Sequence, residues 1–228
     1  MKSRPQWILP LLALTASITT AQTQLNVPAT SNPYLAGMPN GTNASGGDSA
    51  PGQSPVLFTG FSGGMTLTFS ATGSVNYVPT PSGSTPDGDT VFSRGAENGI
   101  SSFNMPLNSL LGVFLDASQP DGFTAPGSIN FSTGSSLTFS SLSPSLRQIF
   151  FIGDGLTGTG TGSAQQFIAP VGATRLFLGV PDGTGWNNNS GSFNVTVTAI
   201  PEPSTSAAIV GLAALGLVMG RRSARRKV

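Results

Sequence analysis

The sequence contains no histidine and no cysteine, and only 8% of its 228 residues are charged. Without histidine there is no imidazole base, which excludes Ser/His/Asp and Cys/His nucleophile systems. Without either residue the usual ligand sets of zinc, haem and iron–sulfur clusters are also missing. Any metal that this chain binds must therefore accept oxygen ligands.

Basic residues are scarce away from the two ends of the chain. Lys2 and Arg4 lie at the start, and five basic residues lie between Arg221 and Lys227. Residues 22–199 carry eight acidic side chains against three basic ones, which leaves a net charge of −5. Because nucleic-acid binding needs a basic face, no nucleic-acid partner is expected.

Residues 1–21, MKSRPQWILPLLALTASITTA, have the layout of a secretory signal peptide. A short basic start precedes an apolar run from Trp7 to Ile18, and small residues lead to Ala21. Pro10 interrupts the run and the polar sequence QTQ follows it, which disfavours a buried helix. Export is therefore predicted, with the mature protein beginning at Gln22.

Residues 200–228 form a second targeting segment. It consists of Pro201, Glu202 and Pro203, a mostly apolar run from Ser204 to Gly220, and then Arg221 and Arg222. The run is at the short limit for crossing a bilayer at 1.5 Å per residue, and the basic cluster should remain on the cytoplasmic side. A C-terminal transmembrane helix is therefore predicted.

This arrangement resembles the PEP-CTERM sorting signal of Gram-negative bacteria. In that family an exosortase, which is a membrane cysteine protease, recognises the motif and cleaves near it. The resemblance implies an inner-membrane intermediate held by the C-terminal helix, followed by release to the cell surface or extracellular matrix. A permanent single-span anchor is the alternative.

Residues 22–53 are rich in Asn, Gly, Ser, Thr and Pro, as in SNPYLAGMPNGTNASGGDSAPGQS. Such a composition buries too little apolar area to offset the entropy lost on ordering. A flexible leader is therefore predicted, from which Tyr34 and Leu35 dock on the following domain. An additional edge strand is the alternative.

Residues 54–199 consist of short alternating segments separated by Gly, Pro, Ser and Asp, which is the signature of an all-β domain. MTLTFSATG, for example, places Met65, Leu67 and Phe69 on one face of a strand. Segments of this kind amount to about eight strands, and about 145 residues suffice for one core. An antiparallel β-sandwich or jelly roll is predicted, and a barrel is the alternative.

The stretch VPDGTGWNNNSGSFNV, Val180 to Val195, gathers oxygen donors between two predicted strands. Asp182, Asn188 and Asn189 offer one carboxylate and two amide oxygens, which suit calcium better than a transition metal. Asp-Gly and Asn-Asn also simply form turns, so the residues alone leave a turn as the alternative.

The loop and its surroundings resemble the calcium-dependent galactose-binding lectins of the LecA type, which are small bacterial β-sandwiches. In that family an acidic loop runs through paired asparagines into an Asn-Ser-Gly-Ser-Phe segment, which matches Asn189 to Phe193. Upstream, ATGSVNYVPTPSGSTPDGD resembles a family strand and loop whose tyrosine carbonyl binds calcium. The resemblance implies that calcium is held by Asp182, Asn188, Asn189 and the carbonyls of Tyr77 and of Thr184 or Gly185.

Two departures from the family pattern affect this site. The loop is one residue shorter, which leaves open whether Asn187 or Asn189 completes the asparagine pair. The family's sugar site also uses a histidine, which this chain lacks, so galactose specificity is not expected.

A sugar would place two vicinal hydroxyls at the calcium, with Asp182 and Asn188 accepting hydrogen bonds from them. Trp186 could stack on the sugar ring, or it could be a partly buried core anchor. The predicted function is an exported surface or matrix protein that binds a surface polysaccharide or another glycan through calcium. The alternative is a structural matrix component without a defined small ligand, and no enzyme activity is expected.

Overall fold

The computed structural model describes residues 21–77 and 83–200. The predicted C-terminal transmembrane helix, the sorting motif and all of the predicted signal peptide except Ala21 lie outside these described residues. Within the two described ranges, no helix has the length and apolar character needed to cross a membrane.

The described residues fold mostly into β-strands, which confirms the all-β prediction. They form strands β1 (Ala21–Pro28), β2 (Asn43–Ala44), β3 (Asp48–Ser49), β4 (Val56–Phe58), β5 (Thr66–Asn76), β6 (Val91–Arg94), β7 (Phe103–Pro106), β8 (Leu111–Leu115), β9 (Ser141–Leu142), β10 (Ile149–Phe151), β11 (Leu156–Gly158), β12 (Thr161–Ala164), β13 (Gln166–Ile168), β14 (Arg175–Gly179) and β15 (Ser190–Ile200). One short α-helix, α1 (Gly134–Leu137), and 3₁₀ helices at Pro33–Leu35, Pro120–Gly122 and Trp186–Asn188 complete the described elements.

Two larger sheets carry most of the described strands. The five-stranded sheet has the order β1-β15-β5-β13-β9, and the four-stranded sheet has the order β10-β8-β14-β4. Three two-stranded sheets pair β11 with β12, β2 with β3, and β6 with β7. The glycine-rich segment from Gly153 contains the β11–β12 hairpin, and the alternating segment SLTFS begins with Ser136 and Leu137 in α1.

Strands β5 and β15 show why the alternating sequence predicts strands correctly. They pair antiparallel along their whole length, from Thr66 opposite Ile200 to Asn76 opposite Ser190. Leu67 on β5 and Val197 on β15 are fully buried, while the threonines and serines between such residues face outward. Alternate burial therefore fixes the register, because a shift by one residue would expose the apolar set.

Residues 22–53 are not the flexible leader that their composition predicts. The segment begins in β1, which is an edge strand. It pairs with β15 from Ala21 opposite Ala199 to Pro28 opposite Ser192. Tyr34 packs in the main core, and Leu35 packs with Ala44 and Ala50. An edge strand needs only one buried face and one neighbouring strand for its backbone hydrogen bonds, and β15 is that neighbour. The alternative of an additional edge strand is correct.

Aromatic side chains join the two larger sheets in a single hydrophobic core. The Phe114 and Phe150 rings stack with centroids 5.0 Å apart, and Phe150 meets Phe167 of β13 at 5.6 Å. Phe167 contacts Phe69 of β5 edge to face at 5.0 Å. The described residues belong to one compact unit that contains this core. A fragment of residues 20–202 therefore has the apolar interior that independent folding requires.

Candidate functional site

Residues 180–189 connect the two larger sheets. β14 of the four-stranded sheet ends at Gly179, and β15 of the five-stranded sheet begins at Ser190. Asn76, the last residue of β5, pairs with Ser190, so Tyr77 reaches the same end of the sheet as Asn189. The register therefore brings together two sequence regions that the lectin resemblance implies for one site.

Asp182 and Asn189 lie buried in this loop, with relative exposures of 3% and 8%. Asp182 Oδ1 accepts the Gly183 backbone N–H, and Asn189 Nδ2 donates to the Ala29 carbonyl at 3.2 Å. Among the described residues, no hydrogen-bond donor reaches Asp182 Oδ2 or Asn189 Oδ1. Buried polar atoms normally have a partner, so these two oxygens require an explanation.

Burial is the main influence on the Asp182 carboxyl and raises its pKa. The neighbouring Asn189 amide and the backbone N–H groups of Gly183 and Thr184 lower this pKa, while the negative charge of Asp48 raises it. Desolvation prevails, which means that the folded chain favours the protonated carboxyl more than water does. A cation beside Oδ2 would reverse this preference.

The donor set at Asp182 and Asn189 fits calcium. Carboxylate and amide oxygens are hard ligands of the kind that calcium accepts, and a cation satisfies an acceptor that no donor reaches. Within residues 21–77 and 83–200 there is no group of three His, Cys, Asp or Glu side chains that could hold a metal. Further ligands would therefore be amide and backbone carbonyl oxygens, which favours weak binding.

The other predicted ligands differ in their environments. Asn188 is exposed. Its backbone N–H donates to the carbonyl oxygen of the buried Gly185 at 3.3 Å, and this oxygen keeps a second lone pair for another partner. Tyr77 is half-buried at the end of β5. Asn187 is exposed and has its backbone N–H on Asp48 at 3.0 Å, so Asn189, not Asn187, is the asparagine beside Asp182.

Trp186 cannot stack on a sugar ring, contrary to the ligand-binding role predicted for it. Its side chain is fully buried, and its indole Nε1–H donates to the Val180 carbonyl at 2.6 Å. The Tyr34 ring lies edge-on to it at 6.2 Å. The segment around Tyr34 covers the indole, so the alternative of a core anchor is the one observed.

Asp48 belongs to this region although the sequence did not single it out. Its carboxylate is fully buried and accepts three hydrogen bonds: from Asn32 Nδ2 and the Trp186 N–H at Oδ2, and from the Asn187 N–H at Oδ1, each at 3.0 Å. These backbone donors are the free N–H groups at the start of the 3₁₀ helix Trp186–Asn188. Asp48 therefore holds the asparagine-bearing turn in place.

Arg94 fixes the other side of the loop. Its guanidinium donates to the Gly183 carbonyl, forms a salt bridge with Glu97 at 2.9 Å and lies over the Trp186 ring at 4.8 Å. Glu97 in turn accepts the backbone N–H and the hydroxyl of Ser45. Two distant segments, residues 45–48 and 94–97, thus hold the loop in one conformation.

One sequence signal pointed to Asp48. It is the single charged residue between Arg4 and Asp87, and it stands in a segment that is otherwise neutral. A lone carboxylate in such a segment indicates a specific partner, because no neighbouring positive charge explains it. The identity of that partner, the 186–187 backbone, depends on the fold.

Comparisons with known proteins find a sorting motif and a distant structural likeness. Residues 199–227 match the PEP-CTERM protein-sorting motif, so the predicted sorting signal is present. The motif implies an exported protein that passes through the membrane and is processed by an exosortase. A search of curated proteins finds no match. A solved structure described as an EclA N-terminal domain, a PllA-like lectin, is 16% identical, covers 77% of this chain and 94% of its own, and has a TM-score of 0.36.

Proposed function

We propose that this exported protein acts at the cell surface or in the extracellular matrix of a Gram-negative bacterium, where its 180–189 loop binds calcium and, through it, a carbohydrate. The observation that supports calcium is the pair of buried oxygens, Asp182 Oδ2 and Asn189 Oδ1, which no donor reaches among the described residues. A buried acceptor without a donor is costly, and a cation beside it would satisfy it. Asn188, Tyr77 and Gly185 complete the proposed ligand set.

The charges around the loop agree with a divalent cation. Glu97 is paired with Arg94, so their charges cancel at a separation of 2.9 Å. The remaining carboxylates, Asp48 and Asp182, are both buried and are close enough for Asp48 to raise the pKa of Asp182. Three hydrogen bonds compensate Asp48, whereas no donor among the described residues reaches Asp182 Oδ2, and Ca²⁺ would compensate this buried charge.

The bound calcium would supply open coordination positions for two vicinal hydroxyls of a sugar. Asp182 and the exposed Asn188 would accept hydrogen bonds from those hydroxyls, and an ionised acceptor makes the stronger bond. The hydrogen bonds that join the loop to Asp48 and Arg94 would hold Asp182 and Asn188 in position before the sugar binds. The core shared by the two larger sheets supports the β-sandwich proposed as the scaffold of this loop.

A thermal melt of the fragment 20–202 with calcium and with excess chelator tests the metal site. With a dissociation constant of about 10⁻⁴ to 10⁻³ M, about 10 mM calcium should stabilise the fold by roughly 1.4 to 2.7 kcal/mol. This corresponds to a rise in Tm of about 3 to 11 °C for a domain of this size. Asp182→Ala should abolish the rise, because it removes the carboxylate among the proposed ligands.

Asp116→Asn is the matched control. Leu111 of β8 pairs with Gly179 beside the loop, whereas Leu115 pairs with Arg175, so Asp116 lies at the opposite end of the sheet. The control should keep the full calcium-dependent rise. Equal Tm values of the wild-type fragment in calcium and in chelator would show that the asparagine-rich loop is a structural turn and would exclude the metal site.

A second candidate, a structural matrix component without a small ligand, is favoured by the outer face of the five-stranded sheet. Residues that lie opposite one another on β1, β15 and β5 form three rows of uncharged polar side chains. The rows are Gln22–Thr198–Thr68, Gln24–Thr196–Ser70 and Asn26–Asn194–Thr72. Such a face offers hydroxyls and amides in a regular array to a neutral polymer.

A sedimentation assay with an insoluble neutral polysaccharide such as cellulose distinguishes this candidate. If the outer face of the five-stranded sheet mediates attachment, the fragment should co-sediment with and without calcium. Thr196→Lys should then abolish co-sedimentation with the polysaccharide. Loss of co-sedimentation in chelator would instead assign attachment to the 180–189 loop.

A further inference from the structure

Phe92 is a solvent-exposed aromatic ring beside the proposed calcium loop. Its relative exposure is 42%, although its register partner Met105 on β7 is fully buried. Opposite residues of an antiparallel pair point to the same face. Phe92 therefore lies at the border between the core and the solvent.

The ring lies against the backbone that directly follows Asp182. A Cβ atom added to Gly183 would stand 3.5 Å from Cε1 and Cζ of Phe92. Arg94, two residues further along the same strand and so on the same face, donates to the Gly183 carbonyl. This hydrogen bond joins β6 to the loop and fixes the position of the Phe92 ring relative to Asp182.

A polar depression lies beside Gly183. Its volume is about 360 Å³, and its lining is formed by Ser45, Arg94, Gly95, Ala96, Glu97, Gly183 and Thr184. The hydroxyls of Ser45 and Thr184 and the Glu97 carboxylate give it hydrogen-bonding groups. A ligand that covers Gly183 therefore meets an apolar ring and a polar depression next to each other.

We infer that Phe92 is the aromatic platform of the site and that the ligand class is a pyranose whose apolar C–H face covers this ring. A cyclic sugar combines an apolar face with hydroxyls at its rim in so small a volume. The inference rests on the proposed function, since the vicinal hydroxyls of the same sugar would lie at Asp182. It assigns to Phe92 the stacking role that the buried Trp186 cannot perform.

Isothermal titration of the fragment 20–202 in calcium, with methyl pyranosides of galactose, mannose, glucose and fucose, tests the inference. For the pyranoside that binds best, Phe92→Ala should weaken affinity about threefold to tenfold, as expected for loss of one aromatic contact. Phe92→Tyr should retain the affinity. Mannitol, which has vicinal hydroxyls and no ring, should bind wild-type protein and Phe92→Ala equally weakly.

Phe123→Ala is the control, because Phe123 is 44% exposed and its ring contacts Arg147 at 4.4 Å instead of the loop. It should leave pyranoside affinity unchanged. The calcium-dependent rise in Tm should persist in Phe92→Ala, which shows that the variant folds and keeps the metal.

The outcomes separate the two proposals. Unchanged pyranoside affinity in Phe92→Ala, with calcium stabilisation intact, would overturn the role of Phe92 and leave the proposed function standing. Calcium stabilisation without binding of any pyranoside would overturn the pyranose assignment and assign the exposed ring to another kind of partner. Absence of calcium stabilisation in the wild type would overturn the proposed function itself.

Discussion

Asp48 Oδ2 accepts the backbone N–H of Trp186 at 3.0 Å, across 138 positions of the chain. Asp48 Oδ1 accepts the next N–H, that of Asn187, at the same distance. The carboxylate thus closes the start of the 3₁₀ helix that precedes Asn189. An N-terminal segment of low sequence complexity therefore determines the conformation of the candidate site.

Asp48→Asn should destabilise the fold by about 1.5 to 3 kcal/mol, because hydrogen bonds to a buried charged acceptor are lost and an amide N–H₂ faces backbone donors. Urea denaturation in chelator measures the free energy of unfolding. Asp116→Asn, at the opposite end of the sheet, should change it much less. Equal stability of the two variants would mean that the three bonds to Asp48 contribute nothing net.

Gly46 and Gly41 provide a matched pair for the contact between the N-terminal segment and the loop. Both have positive φ, +94° and +88°. A Cβ at Gly46 would lie 2.4 Å from Thr184 Oγ1 and 2.5 Å from the Gly185 nitrogen, whereas a Cβ at Gly41 meets no described atom within 4 Å. Gly41→Ala should cost about 1 to 2 kcal/mol through backbone strain alone.

Gly46→Ala should cost about 1 to 3 kcal/mol more than Gly41→Ala, because the loop must move away from the added methyl group. Thermal or urea unfolding of both variants measures the difference. The calcium-dependent rise in Tm should also shrink in Gly46→Ala only. Similar losses in the two variants would indicate that the segment and the loop do not pack together.

The pH dependence of stability without calcium should report the buried Asp182 carboxyl. Burial raises its pKa above the ordinary 3.8, so the folded chain holds the proton more tightly than the unfolded chain. The contribution is therefore most favourable below pH 3.8 and is lost as pH rises through the folded pKa. The free energy of unfolding of wild type minus that of Asp182→Asn should fall across this window, and a constant difference would contradict the assignment.

Calcium should reverse this trend, because metal and proton compete for the same carboxylate. The stabilisation by calcium should increase as pH rises through the folded pKa of Asp182. Melts at matched pH values in calcium and in chelator measure this increment. A calcium effect that is independent of pH would assign the ion to ligands other than Asp182.

Arg94→Lys should destabilise the fold by about 1 to 2 kcal/mol, because lysine lacks the planar fork that contacts Gly183 and Glu97 and stacks on Trp186. Arg175→Lys is the control. Arg175 donates to the Asp116 and Ser118 carbonyls and lies over Phe177 at 5.6 Å, at the end of β14 far from the loop. Both variants should lose stability in denaturant, but the calcium-dependent rise in Tm should diminish in Arg94→Lys alone.

The sorting motif predicts the covalent state of the mature protein. Protein recovered from the surface of its source cell should lack Arg221–Val228, because the exosortase removes the segment behind Pro201–Glu202–Pro203. Mass spectrometry of the C-terminal peptide measures this. Replacing the three motif residues by alanine should leave the chain full length, and an intact C-terminus on most wild-type molecules would indicate a permanent anchor instead.

The local sequence was sufficient for β5, β15 and the sorting motif. In β5 and β15 every second residue is apolar, so the amphipathic period alone predicts which face is buried. The Pro-Glu-Pro motif with its apolar run and arginines is likewise readable as a linear pattern. The oxygen donors Asp182 and Asn189 were also recognisable, because polar residue types clustered at a turn are visible without a fold.

The tertiary structure decided which residues surround those donors. β1 and the 3₁₀ helix at Tyr34 are ordered only because β15 supplies hydrogen bonds to the first and the core receives the second. Trp186 is covered by a segment about 150 positions earlier, whereas Phe92 is left exposed beside the loop. Burial and long-range hydrogen bonds depend on contacts between distant parts of the chain, and a local pattern of residue types does not encode them.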